Sequence, residues 1–227
     1  GPFWSTGLNA DFDLADVKPV KGAGLFLPIQ DNSPVVALHS QRAWGSEQLI
    51  WATGQGIYEY RENQTTKLQE NTDTSWWFES WGNWTVGATK TGKLKVRSIE
   101  GGGFVEIDDA PAGFSLVSRR SPYLVIAGSS DDPTQIAWCH IDDIYTWTPT
   151  AENHARKLPI REMSSGITAV LEFRGELLYF GPGPVAAVSY IGYPYYFGAE
   201  KIGDGAGVYG PRAVCEANGL VYGIGPQ

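Results

Sequence analysis

The sequence predicts an all-β fold, a β-propeller of about five four-stranded antiparallel blades, and three observations point there. Helical periodicity is almost absent: the one helical candidate, Glu152 to Lys157, is short and has no apolar stripe. Glycine supplies 28 of the 227 residues, while Trp, Tyr and Phe supply 9, 11 and 9, a mixture of weak helix formers that suits strands and turns. A short apolar run, a turn and a second apolar run ending in Gly recur along the chain, with closing glycines at 54, 87, 128, 181 and 225. Their mean spacing, about 43 residues, is that of a four-stranded propeller blade.

The elements follow in chain order. Gly1-Pro2 reads as a protease-cleavage scar, which leaves 3–227 as a single propeller domain. Phe12 to Leu14 and Leu25 to Ile29 are candidate N-terminal strands. The strand doublets are Val35 to Gly54, Ser75 to Gly87, Phe114 to Gly128, Ala169 to Gly181 and Ala213 to Gly225. The last two are the cleanest and lie in step, with Arg174-Gly175 and Asn218-Gly219 as turn residues; Asn-Gly favours the tight primed turn of a hairpin. Third strands follow four of the doublets, at Ile57 to Tyr60, Leu94 to Ile99, Ile136 to Trp138 and Val185 to Tyr190. The repeat units therefore fall near 35–70, 75–107, 114–149, 167–202 and 213–227.

One meander cannot cover both of its apolar faces, whereas blades stacked around an axis cover them and leave only short edges. A β-sandwich also has short strands and turns, but the repeated doublet favours the propeller. The final unit stops after its second strand. Either residues 3–34 supply the outer strands and close the ring, or the chain is a fragment of a longer propeller.

The formal charge is −8, from 17 basic and 25 acidic side chains, which repels nucleic acid and anionic membrane. The densest basic pairs, Arg119-Arg120 and Arg156-Lys157, read as solvated loop charges. Cys139 and Cys215 lie far apart with no CxxC pair, which predicts two buried free thiols rather than a disulfide or metal site. No apolar run reaches membrane-spanning length, and no signal-peptide pattern opens the chain. The sequons Asn63-Gln64-Thr65 and Asn83-Trp84-Thr85 matter only in a secretory pathway, of which the sequence shows no sign.

Catalytic signatures are few. Gly205 to Gly210 matches GxGxxG, but Pro211 follows at once and the next residues read as strand, so a glycine loop is expected and no cofactor. His140, Asp142 and Asp143, with Asp131-Asp132 nearby, carry metal-ligand chemistry, yet an oxygen cage needs six or more ligands; acidic turns are the expectation. There is no GxSxG elbow, and adjacent Cys139 and His140 on one strand would face opposite sides. Ser130 to Pro133 and Thr72 to Trp76 approach the Asp-box turn of sugar-cleaving propellers without completing it. Trp77, Phe78 and Trp84 are expected to pack between blades. Trp81, Tyr193 and Tyr195 are the candidates for an exposed aromatic contact.

An ordered set of short motifs resembles a known family. Ile136-Ala137-Trp138, Asp142 to Tyr145 and Trp147-Thr148-Pro149 are followed by the hairpin around Gly175 and by Tyr190-Ile191-Gly192-Tyr193-Pro194. Phe197, Lys201-Ile202-Gly203-Asp204-Gly205-Ala206-Gly207, Pro211 and the hairpin around Gly219 complete the run. It resembles the β-propeller tail nozzle, or tail tubular hub, proteins of short-tailed bacteriophages. Gly181 to Pro184 departs from the family, which more often has a Thr- or Glu-rich turn there.

The resemblance implies a non-enzymatic structural protein of the virion tail, assembled in the host cytoplasm. It implies a ring, a hexamer in the full assembly, that contacts other tail or fibre proteins and lets DNA pass without specific binding. On this view Trp138, Trp147, Pro149, Gly175, Gly192, Pro194, Gly203, Gly205, Gly207, Pro211 and Gly219 frame the propeller rather than catalyse. Two other classes remain as alternatives: a carbohydrate-binding propeller using an exposed Trp such as Trp81, and a propeller glycoside hydrolase with a carboxylate pair in its central opening.

Overall fold

The computed structural model describes residues 10–13, 16–19, 31–43 and 46–225. The chain divides into two compact units, 1–32 and 33–227. The first holds a hairpin of β1 (Ala10–Asp13) and β2 (Asp16–Pro19). The strand expected at Leu25 to Ile29 and the Gly1-Pro2 scar lie outside the described residues.

The second unit is all-β, a series of antiparallel meanders in which each strand pairs with the next. Blade 1 is β3 (Val35–Ala43), β4 (Ser46–Thr53), β5 (Gly56–Arg61) and β6 (Gln64–Glu70). Blade 2 is β7 (Trp77–Trp81), β8 (Trp84–Ala88), β9 (Lys95–Ser98) and β10 (Gly101–Glu106). Blade 3 is β11 (Phe114–Arg120), β12 (Tyr123–Ser129), β13 (Gln135–Trp138) and β14 (Arg156–Pro159). Blade 4 is β15 (Ala169–Phe173), β16 (Glu176–Phe180), β17 (Val185–Gly192) and β18 (Tyr196–Gly203). Among the described residues the fifth blade is a hairpin, β19 (Val214–Ala217) with β20 (Leu220–Gly223). The fold is a β-propeller, and among the described residues it has four four-stranded blades and one half-blade.

Alternation along single strands explains why the blades stack. On β12, Tyr123, Val125 and Ala127 join the core between blades 3 and 4, while Leu124 and Ile126 join the core between blades 2 and 3. Both faces of the strand are apolar, so it needs a neighbour on each side. The first strands β3, β7, β11, β15 and β19 lie innermost, each against the next in the series.

Turn chemistry sets the hairpins. Arg174 and Gly175 have φ of +52° and +81°, and Asn218 and Gly219 have +54° and +74°, the signature of two-residue primed turns. Phe173 pairs with Glu176 and Ala217 with Leu220 directly across them.

Several expectations are corrected. The third unit does not end at 149: β14 lies at 156–159, beyond an inserted loop, because β13 pairs with Arg156–Pro159. The segment Glu152 to Lys157 is bend and strand, with no helix. Arg119-Arg120 and Arg156-Lys157 stand on β11 and β14, not in loops. Cys139 is buried, but Cys215 is exposed, because the half-blade has no further strand to cover it among the described residues.

Candidate functional site

The inserted loop of blade 3 is held by two tryptophans. Trp138 is buried and its indole N–H donates to the carbonyl of His154 at 2.8 Å. Trp147 is buried and donates to the carbonyl of Ile144 at 2.7 Å. The backbone N–H groups of Trp147 and Thr148 donate to Asp109 Oδ2 at 2.7 and 2.8 Å, and the Thr148 hydroxyl also donates to this carboxylate. The Thr148 hydroxyl bond, with the two backbone bonds, holds Asp109 below the usual carboxylate range. Pro149 follows, exposed.

The acidic turns close on themselves. Asp143 accepts from the Tyr145 N–H at 2.9 Å and the Thr146 hydroxyl at 2.7 Å, closing its own turn. Asp132 caps Thr134 in the same way, and Asp73 caps Ser75. Among the described residues no group of three His, Cys, Asp or Glu is arranged to hold a metal ion. Burial pushes the Cys139 thiol up to about 12.

An aromatic surface forms where β12, the inserted loop and the β17–β18 turn meet. The Tyr123 hydroxyl lies 2.9 Å from His154 Nδ1, and the His154 ring stacks on Tyr196 with centroids 4.4 Å apart. The His154 backbone N–H donates to His140 Nδ1 at 3.0 Å. Tyr190 stacks on Tyr123 at 5.8 Å, and Phe197 meets Trp138 edge-on at 5.0 Å. Burial and the neighbouring Tyr190 hold the Tyr123 hydroxyl above the ordinary tyrosine value. His154 is held below its ordinary value by burial first, then by His140 and Arg156.

Of the residues expected as exposed contacts, Tyr193 and Tyr195 are 82% and 71% exposed, at the tip of the β17–β18 turn. Gly192 lies at an irregularity in the β17–β18 pairing and Pro194 follows a cis peptide bond. Trp81 is a correction: it is half-buried against the core between blades 2 and 3, on a strand whose neighbour is the innermost strand of blade 3. Sequence reading missed Tyr123, His154 and Tyr190 as a group, because only blade stacking brings them together.

A cavity of about 930 Å³ opens among the innermost strands, with Val36, Trp76, Leu116, Ile167, Pro211 and Arg212 in its walls. Arg212 donates to the Trp76 carbonyl at 3.2 Å, tying the approach to the half-blade back to blade 2. On β7, burial chiefly, with Glu172 adding to it, holds the Glu79 carboxyl above its ordinary value, while the Ser80 backbone N–H and then Arg119 oppose the shift. Gly205 to Gly210 runs as bend and loop into a turn rather than a helix, and Gly203 ends β18. A Cβ on Gly207 would collide with the backbone of Gly181 and Pro182, so this loop packs against blade 4.

No family model matches the chain, and no curated protein matches it. Among solved structures it is similar to the computationally designed Ika4 protein, at 15% identity and a TM-score of 0.49, over 81% of this chain and 100% of that one. The designed Ika8 protein matches at 15% identity and a TM-score of 0.45, over 66% of this chain and 43% of that one. Hsv2 of Kluyvelomyces marxianus matches at 10% identity and a TM-score of 0.39, over 69% of this chain and 48% of that one. The assignment of fold rests on the strand pairing itself.

Proposed function

We propose that this chain is a non-enzymatic structural protein of a virion, a propeller in the tail nozzle or tubular hub of a short-tailed bacteriophage. The observation that carries the reading is the ordered motif run from Trp138 to Gly219. Trp138 and Trp147 anchor the inserted loop, Gly175 and Gly219 form the hairpin turns, and Gly207 lets the loop before the half-blade close on blade 4.

The surface supports a protein that works by contact. Most of the large apolar residues exposed among the described residues lie between Tyr190 and Ile224, on blade 4 and the half-blade. Patches of that kind mark interaction sites. On β20, Leu220 and Tyr222 are exposed, and among the described residues the strand pairs only with β19, an edge of the kind that can template pairing. Copies of the same chain in a ring, and neighbouring tail or fibre proteins, are the partners this reading assigns. A charge of −8 suits a wall past which DNA slides, since like charge withholds the phosphate contacts that would hold it.

Sequencing the genes on either side is expected to find portal and fibre genes, and immunogold labelling of the corresponding particles is expected to mark the tail. A metabolic operon, or particles that carry no label, would overturn the reading.

A further inference from the structure

A small pocket of about 160 Å³ opens beside the β11–β12 turn, walled by Arg120, Ser121, Pro122, Tyr123, Ile141 and Tyr190. Arg120 is the last residue of β11 and pairs across the turn with Tyr123. Its Nε is buried and has no hydrogen-bond partner among the described residues. A buried guanidinium N–H without an acceptor is costly, and an arriving acceptor recovers that cost. Two other walls are aromatic: Tyr190 stacks on Tyr123, and 48% of Tyr190 remains exposed.

We propose that this pocket binds a carboxylate-bearing pyranose, such as a uronic acid at the end of a polysaccharide. A guanidinium carries planar donors that match a carboxylate. Among the described residues Arg120 is the one cation in the wall, which balances a single negative charge and not the roughly −1.5 to −2 of a phosphate monoester. Tyrosine faces carry negative potential and attract the C–H groups on the flat side of a sugar ring. The volume lies well below the roughly 300–1,000 Å³ of pockets for larger ligands, so one ring enters. Tyr193 and Tyr195, exposed on the turn that ends the strand of Tyr190, offer further aromatic surface for the adjoining saccharide units. The proposal does not depend on the tail reading; a propeller of any origin with this pocket has the same chemistry.

The test is a calorimetric titration of the purified chain with sodium glucuronate, glucose, glucose 6-phosphate and an acetylated aspartyl peptide. Saturable binding of glucuronate is expected, at least about tenfold tighter than glucose. Arg120→Gln is expected to weaken it about 10- to 100-fold, with Arg120→Lys in between because it keeps the charge and loses the fork. Tyr190→Ala, at a half-exposed position, is expected to weaken it about fivefold while the thermal midpoint stays in place, and it serves as the test should Arg120→Gln not fold. Absence of saturation, equal affinity for glucose, tighter binding of glucose 6-phosphate or the aspartyl peptide, or undiminished binding by folded Arg120→Gln would each overturn the proposal.

Discussion

The seam between blades 1 and 2 and the seam between blades 3 and 4 solve one packing problem with opposite chemistry. In the first, Arg97 is 1% exposed and donates to Glu59 at 3.0 Å, to Gln48 at 3.3 Å and to the Gly102 carbonyl at 2.7 Å. Gln41 bridges to blade 2 beside it, accepting from the Thr85 hydroxyl at 2.6 Å and donating to the carbonyls of Gly82 and Trp84. A smaller apolar cluster of Ile50, Ile57, Trp76 and Phe78 completes that seam. In the second, Leu116, Val125, Ile136, Trp138, Val170, Leu177, Tyr179 and Val188 pack together, and the Ser118 and Tyr179 hydroxyls meet at 3.4 Å.

The difference teaches what each chemistry demands. Apolar packing is non-directional and rewards any close fit, whereas a buried ion pair is tolerated only when its hydrogen bonds are met in one geometry. Gln48 Nε2, buried without a partner among the described residues, shows that the polar seam is not fully met. The apolar seam is therefore expected to carry more of the stability, and the polar seam to fix how blade 1 registers on blade 2.

The sharpest break would come from Trp138→Ala. It removes a buried ring that touches Phe197 and holds the His154 carbonyl, and chemical denaturation is expected to show a loss of about 3–5 kcal/mol. A loss below about 1 kcal/mol would mean that the apolar seam is not the stronger one.

Arg97→Met is next, with an expected loss of about 3 kcal/mol, because it strands the Glu59 carboxylate in a largely buried place. The double variant Arg97→Met/Glu59→Leu is expected to return to within about 1 kcal/mol of the parent by the same measurement. If the double variant is as unstable as the single one, the pair itself is stabilising and the contrast between the seams weakens.

The smallest expected effect is on pH dependence. Burial holds His39, 2.9 Å from Ser80 across the first seam, below its ordinary value, and His154 at the second seam is shifted the same way. The unfolded chain takes up these protons near pH 6.5 while the folded chain resists, so this stability is present above about pH 6.5 and is lost as pH falls toward the lowered folded values. His39→Gln is expected to flatten the fall in thermal midpoint only in part, with His154→Gln removing the remainder. An unchanged slope in His39→Gln would mean that the first seam does not titrate.

How much was legible depended on where each strand lies in its blade. The inner hairpins were plain in the sequence because both of their strands are apolar and their turns carry Arg174-Gly175 and Asn218-Gly219. The outer strands were not: β6 reads Gln-Thr-Thr-Lys-Leu-Gln-Glu, with no residue fully buried, so it lacks the apolar signal that marks a strand. β14 was missed because the loop carrying Trp147 separates it from β13, its pairing partner. The exposure of Tyr193 and Tyr195 could be read from their place in a Pro-containing turn, whereas Trp81 looked exposable until blade 3 was set beside it.

The amino-acid string by itself determined the two-strand units, their turns and their spacing, because hydrogen bonding between neighbouring strands and left-handed turn geometry are local and leave their mark in adjacent residues. Only the tertiary structure decided which apolar face meets which. It half-covered Trp81, joined Arg97 to Glu59, and set Arg120 beside Tyr190, since each of those contacts requires two blades to stack, and stacking has no signature in any one of them.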